Sequence, residues 1–166
     1  MKNQYFDIVP VLLGGDLNSY NFARAFHEKY GVTSHVFGKY AIGETKYSKF
    51  IKFHQVENLG DREIAIEALR AFASECESGA LIAIGCTDEY AEFLIDNKAR
   101  LEDLYILPYT EHDLKELLID KADFYAMCER FGIPYPKTVV LTEVPNAERL
   151  TPEALGFDYQ IGRAHV

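Results

Sequence analysis

The chain has 166 residues, of which 48% are hydrophobic and 26% are charged, and its formal net charge is −9 at pH 7. This composition is typical of a soluble globular protein that buries its own core. The acidic balance disfavours nucleic acid as a partner, because a negative surface repels a phosphate backbone.

The chain opens on a predicted strand, a glycine turn and a helix. Residues 8–13 form an apolar run that ends in two glycines, a pattern typical of a buried strand leading into a turn. Pro10 cannot donate a ladder hydrogen bond, so the strand should begin after it or bulge there. Asn18 or Ser19 is predicted to cap the helix. The helix ends at Gly31, and its core-facing residues at helical spacing are Phe22, Ala23, Phe26 and Tyr30.

A second strand, a loop, a third strand and a long helix follow. Residues 34–38 predict a short strand, and the polar residues 41–49 predict a loop. Residues 50–56 alternate apolar and polar side chains, which is typical of a half-exposed strand. Asp61 is predicted to cap a helix that reaches residue 73 or 76. The residues of this helix expected to face the core are Ile64, Ala68 and Phe72.

The alternation of strands and helices continues further along the chain. Residues 80–85 are apolar and predict a strand, 88–97 predict a helix, and 104–107 predict a strand that ends at Pro108. Strands that alternate with helices, each opening into a glycine or proline turn, predict an α/β fold with a doubly wound parallel sheet. Ligands of such a sheet bind at the carboxyl ends of its strands, near the switch in strand order.

The pattern changes in the last third of the chain. Residues 111–119 and 121–131 predict two helices, and Gly132 ends the second because prolines follow it closely. Residues 138–142 are β-branched and apolar, which predicts a strand. The closely spaced helices no longer alternate with strands, so a second domain is expected to begin here.

These elements divide the chain into three segments. We place a domain boundary near Leu118, so that residues 1–118 form the first domain and 119–160 begin a second, incomplete one. Residues 161–166 match one translated frame of a common short-read sequencing adapter, and the next codon of that frame is a stop. We therefore interpret them as translated adapter and expect the natural reading frame to continue past Gln160. The alternative is a genuine polar tail.

Other features restrict the compartment and the chemistry. The three cysteines fit no zinc or CxxC spacing, which favours core thiols in a reducing compartment. The first residues contain no apolar signal region, and no apolar run is long enough to span a bilayer. The sequence therefore predicts a cytoplasmic protein without a membrane partner. The histidines that show no metal-ligand spacing are His27, His35, His54 and His112.

Two turns that follow buried strands are candidate binding sites. The turn Gly14-Gly15-Asp16, followed by Asn18, offers backbone amides and a helix start that could hold an anion. It contains only part of a GxGxxG spacing, and the alternative is a tight turn in which Asp16 or Asn18 caps the helix. In the turn 85–90, acidic side chains could bind an ammonium or a ribose, or could simply form an acidic first helical turn. These side chains are Asp88 and Glu89.

A third candidate is Lys121, which follows Asp120 at the start of a predicted helix. A cation there is unfavourable to the helix macrodipole, and a bound phosphate would offset that cost. The alternative is an exposed lysine whose long stem reaches solvent.

The segment 120–138 resembles the entry to an ATP-grasp domain. It contains an Asp-Lys pair, a helix and the turn Gly-Ile-Pro-Tyr-Pro-Lys-Thr. Residues 8–20, Ala23-Arg24, Tyr47-Ser-Lys49 and 88–92 are similar to the D-aspartate ligase group, whose members join D-aspartate to a lysine of a peptidoglycan precursor. The resemblance covers nearly all of residues 5–160. It implies a Rossmann-like domain before the start of an ATP-grasp domain.

The resemblance also implies cofactors and roles. Lys121 would contact the phosphates of ATP, which reacts as its Mg²⁺ complex. The substrate would face residues of the two turns, namely Gly14, Gly15, Asp16, Asn18, Asp88 and Glu89. A carboxylate would be phosphorylated and an amine would attack the acylphosphate. The second phosphate lysine and the magnesium ligands of the family lie beyond residue 160, so no catalytic residue is assigned here and the fragment is expected to be inactive.

Two other functions are weighed against the ligase. One is a non-catalytic module that binds a small molecule or nucleotide through a Rossmann-like sheet. The other is an NAD-dependent oxidoreductase, which is disfavoured because the second strand ends in Gly38-Lys39 without an acidic residue. The chain also departs from the ligase group, which has Gly-Asp-Gly where this sequence has 86–89, Cys-Thr-Asp-Glu.

Overall fold

The structure is a computed structural model that describes residues 7–77, 79–136 and 151. The chain forms two compact units that divide between His112 and Asp113. The predicted strand at 138–142 and the segment 161–166 lie outside the described residues. The domain boundary near Leu118 stays a prediction.

The first unit is a parallel sheet with helices between its strands. Its strands form one sheet in the order β3-β2-β1-β4, and every neighbouring pair is parallel. The chain therefore runs outward from β1 to β3 and then crosses back to place β4 on the other side of β1. In chain order the elements are β1 (Ile8–Leu13), α1 (Leu17–Tyr30), β2 (Ser34–Gly38), α2 (Gly43–Tyr47), β3 (Ile51–Gln55), α3 (Arg62–Glu75), β4 (Ala80–Gly85), α4 (Asp88–Asp96) and α5 (Lys98–Leu101).

Both faces of the sheet are covered, because side chains alternate along each strand. On one face Leu12 of β1 packs in a cluster with Ala23 of α1. On the other face Leu13 packs in a cluster with Leu69 of α3 and Leu94 of α4. All five side chains are fully buried. The predicted α/β fold with a doubly wound parallel sheet is confirmed for this unit, and the arrangement fits a Rossmann-like fold.

The first strand continues through Pro10, so the predicted late start or bulge is wrong. Pro10 is paired in register with Ile82 of β4. Alternate residues of a parallel strand bond to opposite neighbours, and Gly14 bonds toward β2 while Leu13 bonds toward β4. Pro10 therefore lacks its donor on the side of β2, where pairing begins only at Val11. The missing amide interrupts no ladder.

Helix caps and faces differ in part from the sequence prediction. Asp16 caps α1, and Asn18 and Ser19 lie within the helix. Phe22, Tyr30 and Ile64, which were expected to face the core, are 41%, 38% and 37% exposed. In α3 Ala68 and Phe72 are partly buried against the core as predicted, but the most buried face of the helix lies next to them. That face carries Ala65, Ile66 and Leu69.

The predicted loop 41–49 contains the short helix α2. The buried Thr45 hydroxyl donates to the carbonyls of Gly15 and Ile42, and the Ile42 amide also donates to Gly15. These bonds tie the segment to the end of β1, which periodicity along the chain could not reveal.

The predicted strand 104–107 is reduced to one parallel bridge between Ile106 and Ile82. The amide of Leu104 turns back to Leu101, and that of Tyr109 turns back to Leu107. Tight turns on both sides therefore leave only Ile106 extended along β4.

The described residues of the second unit form the helices α6 (His112–Ile119), which begins one residue before the division, and α7 (Lys121–Phe131). The Asp120 carboxylate caps α7 by accepting from the amides of Ala122 and Asp123. Gly132 ends it in the left-handed conformation, with φ of 66°. Both predicted helices and the glycine stop are confirmed. Within the described residues, no helix has the length and apolar character needed to cross a membrane.

A pair of histidines is packed between strands β2 and β3. Nδ1 of His35 lies 2.9 Å from Nε2 of His54, and both rings contact Phe72 of α3. Burial, followed by the charge of the partner ring, lowers the pKa of His35 from 6.5 to about 4. Burial also lowers the pKa of His54. The native state therefore holds the pair neutral.

The histidine pair should make stability fall in acid. The unfolded chain takes up protons below about pH 6.5 while native His35 resists them down to about pH 4, so this contribution is complete above pH 6.5 and is lost as pH falls. After allowance for solvent screening, the loss should be about 1–2 kcal/mol. Urea unfolding from pH 7.5 to 4.5 measures it. A His35→Phe/His54→Phe variant should show a shallower pH dependence than a His27→Phe control, and parallel curves would contradict the assignment.

Candidate functional site

The carboxyl ends of β1 and β4 meet where the strand order switches. Leu13 and Gly85 are register partners, and the amide of Cys86 donates to the Leu13 carbonyl at 2.9 Å. The glycine turn after β1 and the turn after β4 are therefore neighbours. The structure brings together the two turns that the sequence marked as binding candidates, at the position where open α/β sheets bind ligands.

Glycines allow the backbone segments at this edge to approach closely. A Cβ added to Gly38 would lie 2.0 Å from the carbonyl oxygen of Gly14, and one added to Gly85 would lie 2.3 Å from the amide nitrogen of Ala91. Real Cβ atoms do not reach such distances, so these positions exclude any side chain. The edge is consequently a tightly packed backbone platform.

The glycine amides at this edge already have acceptors. Gly14 donates to the Phe37 carbonyl at 2.8 Å, and Gly15 donates to the Ser19 hydroxyl at 2.9 Å. Gly85 donates to the Tyr109 hydroxyl at 2.7 Å. The amides of Gly14 and Gly15 therefore have internal acceptors, and anion binding by the first turn stays a prediction. Substrate contact by Gly14 and Gly15 stays a prediction.

Asp16 has the capping role that the sequence offered as an alternative. One carboxylate oxygen accepts from the Ser19 amide at 3.1 Å and from the Ser19 hydroxyl at 3.2 Å. The other oxygen lies 3.4 Å from the amide nitrogen of the Asn18 side chain. Asn18 itself is exposed. The carboxylate thus orders the start of α1, and any substrate contact would add to that role.

Cys86 lies beneath the platform as a buried thiol. Burial raises its pKa to about 11, and the nearby Asp16 carboxylate acts in the same direction. The Ser19 hydroxyl interacts with the thiol and opposes this shift. Cys86 is therefore protonated at neutral pH, and it serves as packing rather than as a nucleophile.

The acidic turn after β4 faces solvent. Thr87 caps α4, with its hydroxyl oxygen 3.5 Å from the Tyr90 amide, and Asp88 and Glu89 occupy the exposed first turn. This matches the acidic first turn weighed as an alternative. The pKa of Tyr90 is raised by burial first and then by Glu89, Tyr40 and Asp16. Asp16 in the turn after β1 and Glu89 in the turn after β4 therefore both raise the pKa of the Tyr90 phenol.

Lys39 is a residue at this edge that sequence reasoning did not assign to the site. It directly follows β2, and its Nζ lies 3.0 Å from the position that a Cβ on Gly60 would occupy. Oε1 of Glu89 lies 3.9 Å from the same point. A cation and a carboxylate therefore converge on Gly60. Its position in the sequence could have identified it, because the residue that follows the second strand of a Rossmann-like sheet often contacts the ligand.

Lys121 belongs to the second unit. It is the first residue of α7, directly after the Asp120 cap, and it is exposed. Among residues 7–77, 79–136 and 151, no three side chains of His, Cys, Asp or Glu are placed to hold a metal ion.

A cavity of about 440 Å³ lies on the α1 and α2 side of the first unit. Its lining includes Tyr20, Phe50 and Lys49. None of the site residues predicted from the sequence lines it, so size alone does not make it the candidate site.

No family model matches the chain. A D-aspartate ligase of Enterococcus faecium (strain Aus0004) is 32% identical over 164 residues, which cover 97% of this chain. The chain is therefore similar to part of a known ligase. The aligned part is 38% of the D-aspartate ligase, so the chain spans less than two fifths of the relative it matches.

Proposed function

We propose that this chain is the amino-terminal part of an ATP-dependent carboxylate–amine ligase acting in the cytoplasm. The observation that carries the proposal is the 32% identity to a D-aspartate ligase across 97% of the chain. The substrate class proposed is an amino acid, with D-aspartate first, joined to an amine of a peptidoglycan precursor.

The platform at the ends of β1 and β4 supports an amino-acid site. Asp16, Asp88 and Glu89 lie in turns that follow these adjacent strands, and Lys39 contributes a positive charge beside Glu89. An amino acid carries both an ammonium and a carboxylate, so a sheet edge with negatively and positively charged side chains suits it. We assign substrate binding to this edge and ATP phosphate binding to Lys121.

The reaction proposed has two steps. The γ-phosphoryl group of ATP passes to a carboxylate oxygen, releasing ADP and leaving an acylphosphate. The nitrogen of an amine then attacks the carbonyl carbon, the carbon–oxygen bond to phosphate breaks, and the nitrogen loses a proton. The residues of this chain would bind and orient the reactants, and a lysine at the phosphates would stabilise the negative charge. Mg²⁺ bound to ATP would neutralise further charge, and no described residue is assigned to it.

A non-catalytic binding module is the alternative, because the sheet alone could hold a small molecule. A dinucleotide-dependent oxidoreductase is less compatible, since the glycine amides that would face a pyrophosphate already have acceptors.

Phosphate release by the full-length protein tests the ligase. We expect turnover only with ATP, Mg²⁺, an amino acid and an amine acceptor together, and highest with D-aspartate. The 166-residue chain alone should release no phosphate under the same conditions. If the full-length protein turned over no ATP with any amino acid, D-aspartate included, the ligase proposal would be refuted. Ligand binding without turnover would then support the non-catalytic module.

A further inference from the structure

Two opposite charges face the same point at the edge of the sheet. Lys39 follows β2 and Glu89 lies in the first turn of α4, so they stand on opposite sides of the end of β1. Gly60, which precedes α3, lies between them. Both side chains are exposed, and no carboxylate of the described residues is within ion-pair distance of Lys39.

The absence of a side chain at Gly60 keeps this point open. A Cβ there would meet Nζ of Lys39 at 3.0 Å, Cε of Lys39 at 3.5 Å and Oε1 of Glu89 at 3.9 Å. Lys39 and Glu89 are thus close enough for one small molecule to contact both. The two side chains do not form an ion pair with each other. A charge-assisted hydrogen bond to each would be stronger than a neutral one.

We propose that Lys39 and Glu89 form the two poles of the amino-acid site, Lys39 binding a carboxylate and Glu89 the ammonium group. The inference rests on the proposed ligase function and names the residues that select its acid substrate. The carboxylate held by Lys39 is the one that is not phosphorylated, because the reacting carboxylate must lie against ATP. Lys39 is therefore a specificity-determining residue for an acidic amino acid with two carboxylates.

The position of Lys39 also suits a nucleotide phosphate, since basic residues near the second strand of dinucleotide-binding sheets accept a 2′-phosphate. The amides of Gly14 and Gly15 disfavour that use, because they already have acceptors within the protein. The experiment separates these two uses.

Steady-state kinetics of the full-length ligase with Lys39→Met tests the proposal. The loss of one charge-assisted contact should raise the KM for D-aspartate about 10- to 100-fold and leave the KM for ATP unchanged. Glu89→Gln should also raise the KM for D-aspartate. Lys39→Arg should recover most of the wild-type value, because it keeps the charge. Lys29→Met, which removes an exposed lysine of α1, is the matched control and should change neither KM.

The outcomes distinguish this inference from the proposed function. If wild-type enzyme turns over D-aspartate and Lys39→Met leaves its KM unchanged while urea unfolding shows a native fold, the two-pole site is wrong and the ligase stands. A rise in the KM for ATP instead would assign Lys39 to nucleotide phosphate and overturn the inference. Should Lys39→Met fail to fold, equal KM values for Lys39→Arg, Glu89→Gln and wild type would overturn it. No turnover by wild type would refute the ligase and the site together.

Discussion

Replacing Gly85 with alanine should lower the free energy of unfolding by about 3 kcal/mol or more, at the upper end of the cost of overpacking a core. The new Cβ would lie 2.3 Å from the Ala91 nitrogen and 2.3 Å from the Tyr90 carbonyl carbon. These are backbone atoms of α4, which cannot rotate away as a flexible side chain could. The helix must move off the end of β4, and the platform opens.

The measurement for Gly85→Ala is guanidinium unfolding followed by circular dichroism. Gly43→Ala is a matched control, because no atom lies within 4 Å of the added Cβ and Gly43 begins α2. It should change stability by less than about 1 kcal/mol, with alanine favoured in a helix. Equal unfolding midpoints for the two variants would show that α4 does not press on Gly85.

If the proposed ligase function holds, replacing Lys121 with alanine in the full-length protein should raise the KM for ATP about 10- to 100-fold, the effect of losing one contact to a charged group. Lys121 is exposed and is the first residue of α7, so its charge is poorly placed for the helix but well placed for an anion. Coupled measurement of ADP release over a range of ATP concentrations gives the value. An unchanged dependence on ATP would remove Lys121 from the nucleotide site.

The effect of Lys121→Ala on stability can be measured separately from its effect on ATP binding. A cation at a helix N-terminus is unfavourable, so Lys121→Ala should raise stability by a few tenths of a kcal/mol, roughly the size of a single dipole interaction. Arg130→Ala is the control. Arg130 is an exposed cation in the last turn of the same helix, where it is favourable. Its loss should slightly lower stability and leave the KM for ATP unchanged.

Much of the first unit was predictable because its signals are local. The apolar run 8–13, the stop at Gly31 and the cap at Asp61 each act within a few residues of the chain. The parallel sheet followed from the alternation of these elements. A strand or a cap needs only its neighbours in sequence, so periodicity and turn chemistry identify it.

Elements held by distant partners were predicted poorly. The helix at 43–47 depends on bonds to Gly15, and the segment at 104–107 keeps a single bridge because turns restrict both of its sides. The buried face of α3 also depends on the sheet against which the helix packs. Helical spacing defines a stripe of side chains, but the sheet determines which edge of that stripe is covered, as the exposure of Ile64 shows.

The sequence by itself determined the turns that form the candidate site, because glycines and acidic caps after apolar strands mark the ligand edge of a parallel sheet. Only the tertiary structure decided what those groups do. It assigned the amides of Gly14 and Gly15 to internal acceptors and used Asp16 as a cap. It also brought Lys39 and Glu89, which are fifty positions apart in the printed sequence, to one point beside Gly60. The physical reason is that hydrogen-bond partners and charge pairs across a sheet depend on strand order, which short-range patterns do not encode.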